Sequence, residues 1–395
     1  MLTPSYLADV AEPMVELWSR VECDITADIA RRLANADYLT ESAKWQIYKA
    51  REMGMTQEEI TSVLSSSIKK GKKQIRDMVE EACADALHMD VEQYRKAGLD
   101  VAKLQSSDAL RGVIRAGERK TEKLFANFTR TTARTAGKAF ENCMDMVWMQ
   151  VQSGAFSLDQ ALRKSIVELG KQGVTSIAYP SGHVDKLDVA ARRATVTGIN
   201  QAACEMQLEA AGVMGCDLVE VTSHAGARPS HAIWQGGIYS LSGKSKTYKP
   251  FRQATGYGTG EGLGGWNCRH NFFPYLPGVS APTFGKDPNR MLGKSNAKVY
   301  EESQKQRELE RRVRESRRTC AAIDAAAKAE TDEKLRAALQ QDFESESVLL
   351  KRREKAVDDY CRDTGRINEK DRTSVVGFNR SVSQKARWAA KRGET

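Results

Sequence analysis

The chain predicts a mainly α fold, with elongated helical regions on either side of one small α+β module near the middle. Three observations predict it. Apolar residues recur every three or four positions through most of the 395 residues. Charged residues reach 29% against 41% hydrophobic, a balance suited to helices with much solvated surface. Only one region, about residues 171–280, replaces that periodicity with β-type alternation, turn signals and repeated glycine. The expected division is an all-helical region over 1–170, the mixed module over 171–280, and a charged helical region over 281–395 that ends in a mobile tail.

The elements follow in order. Thr3 before Pro4 reads as an N-cap with proline in the first turn. Trp18, Val21, Ile25, Ile29 and Leu33 then form one apolar stripe on a long helix that Pro13 should kink near its start. A second helix is expected from about Thr40 to Gly54, and Thr56 with Glu59 forms a capping box opening a third. Further helices follow Gly71 and Asp90, and residues 107–152 form a long helical stretch marked by Leu110, Phe140, Met144 and Val147. Ser157 with Gln160 is a second capping box, its helix closing near Gly170. Tyr179-Pro180-Ser181-Gly182 is a turn signal, and Asp188 an N-cap for a helix that carries Arg192 and Arg193 to about Met214. Residues 217–223, the run GGIYS and the run NCRHNFF are strand candidates. After Pro282 opposite charges at helical spacing, such as Glu308 and Arg312, suit an exposed helix or helical hairpin. The closing run TSVVGFNRSVSQKARWAAKRGET shows little periodicity and is expected to be mobile or to order against a partner.

Composition narrows the function classes. A net charge of +9 with both signs interspersed is compatible with lying near nucleic acid without requiring a dedicated nucleic-acid binder. The eight cysteines include no CxxC pair, which fits a reducing compartment and inert buried thiols. No apolar stretch approaches the roughly 20 residues of a membrane span, and the first residues lack the order of a signal peptide, so a soluble product of a cytoplasm is expected.

Chemistry concentrates in residues 221–278, which hold three of the five histidines and six Lys/Arg against one acid, Glu261. His224, His231, Cys268 and His270 are groups of the types zinc prefers, and in a strand Cys268 and His270 would face the same side. The alternative is structural: histidines capping backbone groups, with Cys268 as a small buried residue. A hydrolase can also be assembled, with a histidine as general base, Asn267 orienting it, His270 on a metal and Arg228 on a phosphate. The single acid argues against it, because two-metal hydrolytic sites need several carboxylates. Arg228 equally suits pinning the Gly-rich loop through its five donors. The glycine series does not follow the phosphate-loop pattern. Long loops need anchors, and this one is too poor in aliphatics for a core of its own. His224, Arg228, His231, Trp234, Gln235, Asn267, Cys268, Arg269 and His270 are therefore expected to converge and hold it from its two ends.

The runs RRATVTGINQ, SHAGARPSHAIWQGGIY and GYGTGEGLGGWNCRHNFFPYLPG resemble the phage minor capsid protein 2 family, a relative of the Mu F-like head morphogenesis proteins. The likeness extends to LTPSYLADVAEPMVELW, LTESAKWQ and QKQRELERRVRESRR, and so covers nearly the whole chain. It implies a Mu F-like module within a structural, non-enzymatic virion protein. Such a protein is present in few copies in the head, bound to the portal protein beside major capsid or scaffold proteins. It touches packaged double-stranded DNA during packaging or ejection, is assembled in the bacterial host cytoplasm, and contacts no membrane. Mu F-like modules carry His and Cys positions suspected of binding metal, and His224, His231, Cys268 and His270 fall on that pattern, with zinc the ion implied. The family often has a cysteine just before the run that here reads GWNCRH; Gly264 stands there. The alternative of a different class is a metal-dependent nuclease or other hydrolase acting on nucleic acid, and a third is a plain DNA-binding module.

Overall fold

A computed structural model of the chain describes residues 1–36, 42–173, 175–178, 184–285, 288–289 and 292–393. Thr3 caps α1 (Pro4–Asp9), its hydroxyl accepting from the Tyr6 N–H at 3.1 Å. The chain then breaks at residues 10–11 and restarts as α2 (Glu12–Ala34). Pro13 therefore sits in the first turn of a new helix, where its missing N–H costs nothing, instead of kinking a longer one. The predicted stripe of Trp18, Val21, Ile25, Ile29 and Leu33 is buried.

The largest correction concerns α3. A second helix ending at Gly54, a third opening at Thr56 and further ones after Gly71 and Asp90 were expected; residues Ser42–Lys96 form one helix, with Gly54, Gly71 and Asp90 inside it. The expected start at Thr40 lies outside the described residues. Buried positions run through Trp45, Tyr48, Glu52, Thr56, Ile60, Leu64, Ser67, Gly71, Ile75, Val79, Ala82, Ala86, Asp90 and Tyr94, always three or four apart. The period never breaks; only the chemistry of the stripe does. A glycine in a helix costs about 1 kcal/mol, which continuous packing outweighs. Thr56 is thus a buried mid-helix residue and no cap.

After the short α4 (Ala102–Gln105), α5 (Asp108–Gln152) follows as expected. Both halves of the second capping box form at the start of α6 (Leu158–Gln172): Gln160 N–H donates to Ser157 Oγ at 3.3 Å and Ser157 N–H to Gln160 Oε1 at 3.1 Å. The helix ends at Gly173, with φ 65°, and not at Gly170. Ser157→Ala should lower stability by about 1 kcal/mol in a denaturant titration; an unchanged midpoint would mean that packing alone sets this helix end.

A two-stranded antiparallel ladder, β1 (Thr175–Ala178) with β2 (Val184–Lys186), leads into α7 (Leu187–Met214). The turn expected at residues 179–182 lies outside the described residues. Asp188 is in the first turn of α7, paired with Arg314 at 3.3 Å, and is not its cap. Then come β3 (Leu218–Val221), α8 (Pro229–Ala232), β4 (Ile238–Ser240), α9 (Phe251–Thr255) and β5 (Phe272–Pro274). The strands form an antiparallel sheet in the order β4-β3-β5, so β3 is central. The C-terminal part is the helical hairpin α10 (Asn296–Ala329) and α11 (Glu333–Thr364), tied by Arg317–Glu354 at 2.7 Å and Arg353–Glu315 at 3.1 Å. The expected loose tail is instead α12 (Arg380–Arg392), capped by Asn379 and packed on its own chain through Val382, Ala386, Ala389 and Ala390, with Lys385–Asp324 at 2.6 Å. Its stripe is built of alanine, too small to be conspicuous in the sequence.

The chain divides into two compact units. The first comprises Met1–Val15, Lys70–Ala126 and Ala191–Ser303 and holds the three-stranded sheet; the second comprises Glu16–Lys69, Asn127–Ala190 and Gln304–Thr395. In the first, α5 and α7 cross closely at small residues: a Cβ on Gly198 would lie 2.5 Å from Thr121 Oγ1, and one on Gly117 2.8 Å from Ala202 Cβ. In the second, Trp45 stacks on Trp148 at 6.1 Å and Arg163 makes a two-pronged pair with Asp342 at 2.7 and 2.8 Å. The mainly α fold with a small α+β part agrees with the sequence. Among the described residues no helix is long and apolar enough to cross a membrane.

Candidate functional site

The chemistry of residues 221–278 gathers in the module that holds the three-stranded sheet, and α7 organises it. Thr197, Asn200 and Cys204 lie three and four residues apart on one face of that helix. Asn200 is fully buried, and its Nδ2 donates to two carbonyls two residues apart, Cys268 O at 3.0 Å and His270 O at 2.9 Å. Its Oδ1 accepts from Asn271 Nδ2 at 3.0 Å. Thr197 Oγ1 accepts the Asn267 N–H at 2.9 Å, and Thr222 Oγ1 that of Asn271 at 3.0 Å.

These bonds explain why NCRHNFF is a strand only from Phe272. Asn267 has φ 53°, a left-handed turn conformation that asparagine tolerates. The carbonyls of residues 268 and 270 go to one side-chain amide instead of a neighbouring strand. The sequence reading of residues 267–271 as a strand is therefore corrected. Cys268 and His270 still meet, with Sγ 3.7 Å from His270 Nδ1.

The nine residues expected to converge do so in part as one cluster. His231 Nδ1 is 3.8 Å from Cys268 Sγ, and its Nε2 is 2.7 Å from the Glu261 carbonyl. His270 Nε2 is 3.0 Å from Gln235 Oε1, which also accepts the His224 N–H at 3.1 Å. Trp234 packs its ring on both His231 and His270, centroids at 4.6 and 4.8 Å. His224 stacks on His270 at 4.4 Å, with its Nδ1 3.0 Å from its neighbour's carbonyl, Ala225 O. The atoms that could hold a metal are those of His231, Cys268 and His270, all buried and within 4.8 Å of one another; His224 is not in that set. Arg228 Nη2 donates to Trp266 O at 3.1 Å, which is the loop-pinning role. Arg269 and Asn267 lie at the half-buried edge. Arg192 serves Ala8 O at 3.2 Å and Glu12 at 2.6 Å.

Burial, reinforced by the neighbouring His224 and His231 and by Arg269 and Arg228, holds His270 well below the usual histidine range. Burial also lowers His231, with Arg228 adding to the effect, and raises the Cys268 thiol. With no metal, the trio is uncharged at neutral pH.

The Gly-rich loop has no separate core; its aromatic side chains join the core of the module. Phe251, Tyr257 and Leu263 are buried with Val219, Val221, Trp234 and Phe272, and the Phe251 and Phe272 rings meet edge-on at 4.9 Å. Tyr257 OH donates to Glu205 at 2.8 Å. Aromatic area replaces the missing aliphatics. Glycine is required where the loop folds on itself: a Cβ on Gly262 would lie 2.0 Å from Gly256 O, and one on Gly265 2.3 Å from Gly260 O. The hydrolytic alternative gains no support, since Glu261 faces the cluster with its main-chain carbonyl.

Asn200, Thr197, Thr222 and Asn271 are the residues that sequence reasoning missed. For Thr197 and Asn200 the available signal was their helical spacing with Cys204 on α7; Thr222 and Asn271 lie outside that helix and left none.

The model of one protein family, phage minor capsid protein 2, matches residues 2–360. Neither the curated proteins nor the solved structures contain a match.

Proposed function

Since the chain belongs to the phage minor capsid protein 2 family, we propose that it is a structural, non-catalytic component present in few copies in the virion head, bound to the portal protein and facing packaged DNA. The match over residues 2–360 carries this reading, because it takes in both helical regions as well as the module. Two features support its finer parts. The α10–α11 hairpin exposes charges of both signs, suited to docking against other head proteins. Lys244, Lys246, Lys249 and Arg252 are all exposed on the module, a basic strip suited to phosphate. Assembly in the bacterial host cytoplasm and contact with major capsid or scaffold proteins belong to the same reading.

Mass spectrometry of purified virions is the test. The protein should appear at a small fraction of the major capsid protein's copy number and cross-link to the portal. Its absence from mature particles would leave at most an assembly role, and copy numbers matching the major capsid protein would refute the portal placement.

A further inference from the structure

Two imidazole lone pairs face one sulfur in the cluster. Glu261 O accepts at 2.7 Å from His231 Nε2, and a carbonyl oxygen can only accept, so that nitrogen carries its ring's proton. Gln235 Oε1 accepts the His224 main-chain N–H at 3.1 Å, which fixes the amide's orientation. The His270 Nε2 that lies 3.0 Å from the same oxygen must then be the donor. Both Nδ1 atoms are therefore bare, 3.8 Å and 3.7 Å from Cys268 Sγ. A thiol has one proton and can serve one of them. Among the described residues no other donor reaches the second lone pair, although His231, Cys268 and His270 are only 2%, 1% and 1% exposed. A buried acceptor left this way is costly.

We propose that His231 Nδ1, Cys268 Sγ and His270 Nδ1 bind one Zn²⁺, whichever role the chain has in the head. On binding, the thiol loses its proton to solvent and the thiolate and both lone pairs are satisfied at once. With Zn–S near 2.3 Å and Zn–N near 2.0–2.1 Å, a tetrahedral S···N edge is about 3.6 Å, close to the separations seen. The outer partners are also in place: the Glu261 carbonyl and the Gln235 amide fix the tautomers as such acceptors do around zinc-bound histidines. The His270 N–H donates to the sulfur at 3.4 Å, which favours a thiolate. His224 is excluded because its ring lies over the face of His270, at 28° between planes, with Nδ1 turned to Ala225 O. Three protein ligands leave the fourth position to a small molecule such as water.

The full chain purified without chelator should contain one zinc per molecule by elemental analysis. Stripping it with a chelator should lower its melting temperature by several degrees, and added Zn²⁺ should restore it, since a ligand bound only by the folded state stabilises that state. Co²⁺ in place of zinc should show a thiolate charge-transfer band. Cys268→Ser should lose the metal and the band, whereas His224→Ala should keep both. The chelation and restoration arm uses the unmutated chain, so it decides the matter even if Cys268→Ser folds poorly. No metal in the purified chain together with no thermal response to Zn²⁺ overturns the proposal, as does full metal retention by Cys268→Ser.

Discussion

Asn200→Ala should cost about 3–5 kcal/mol of stability, the largest effect expected of any single substitution near the cluster. The residue is fully buried and its strongest bonds go to three partners, Cys268 O at 3.0 Å, His270 O at 2.9 Å and Asn271 Nδ2 at 3.0 Å, with the Cys204 thiol at 3.7 Å beside them. Alanine removes all three bonds, and each buried group left unpaired costs about 1–3 kcal/mol, with water recovering part of the sum. Asn200→Asp provides the sharper contrast. It keeps the shape but aims a carboxylate at two carbonyls, so it should be at least as damaging. Urea denaturation of both variants measures this; an alanine variant within about 1 kcal/mol of the parent would show that the two carbonyls do not depend on the clamp.

Gly170→Ala should destabilise by about 2–4 kcal/mol, although the same exchange inside an exposed helix gains about 1 kcal/mol. The reversal of sign is the informative part. Gly170 lies on α6 where that helix meets α10, and a Cβ there would stand 2.5 Å from Thr319 Cα and 3.1 Å from Thr319 Oγ1. The obstacle is backbone, which cannot rotate aside as a side chain does. Relief requires the two helices to separate and lose packing around Leu169 and Thr319, both buried. A melting temperature equal to or above the parent's would contradict the close approach.

Most of the fold was legible where sequence marks and physical cause coincide. The Thr3 cap, the Ser157 capping box and the stripe of α2 are local signals, and each acts locally in the structure. α3 was misread because its buried stripe passes through Glu52, Thr56, Gly71 and Asp90, residues that look like caps and breaks when each is judged alone. α12 was missed because alanine carries little hydrophobic signal. At the site, the convergence of His231, Gln235, Cys268 and His270 could be anticipated from a loop that needed anchors. The organiser could not: Asn200 acts across 68 and 70 residues of sequence on two main-chain carbonyls, and carbonyls leave no mark in a sequence. The choice between His224 and the other histidines rested on ring orientation, which spacing does not encode.

The division of each unit into three separated stretches bears on how the protein comes to fold during synthesis. The first unit lacks its sheet until Pro274 has been made and its last stretch until Ser303, and the second lacks its closing helices until residues 304–395 follow. At about 5–20 residues per second the ribosome needs on the order of 5–20 s for that last stretch. Throughout that interval part of α2 waits for late partners: Gly377 donates to Cys23 Sγ across 354 residues, and the buried Glu22 lies beside Arg318. Pairings so distant in sequence slow the search for the native state. A nascent chain with Cys23 and Glu22 still uncovered is incompletely packed, and a pause in translation before residue 304 would prolong that state.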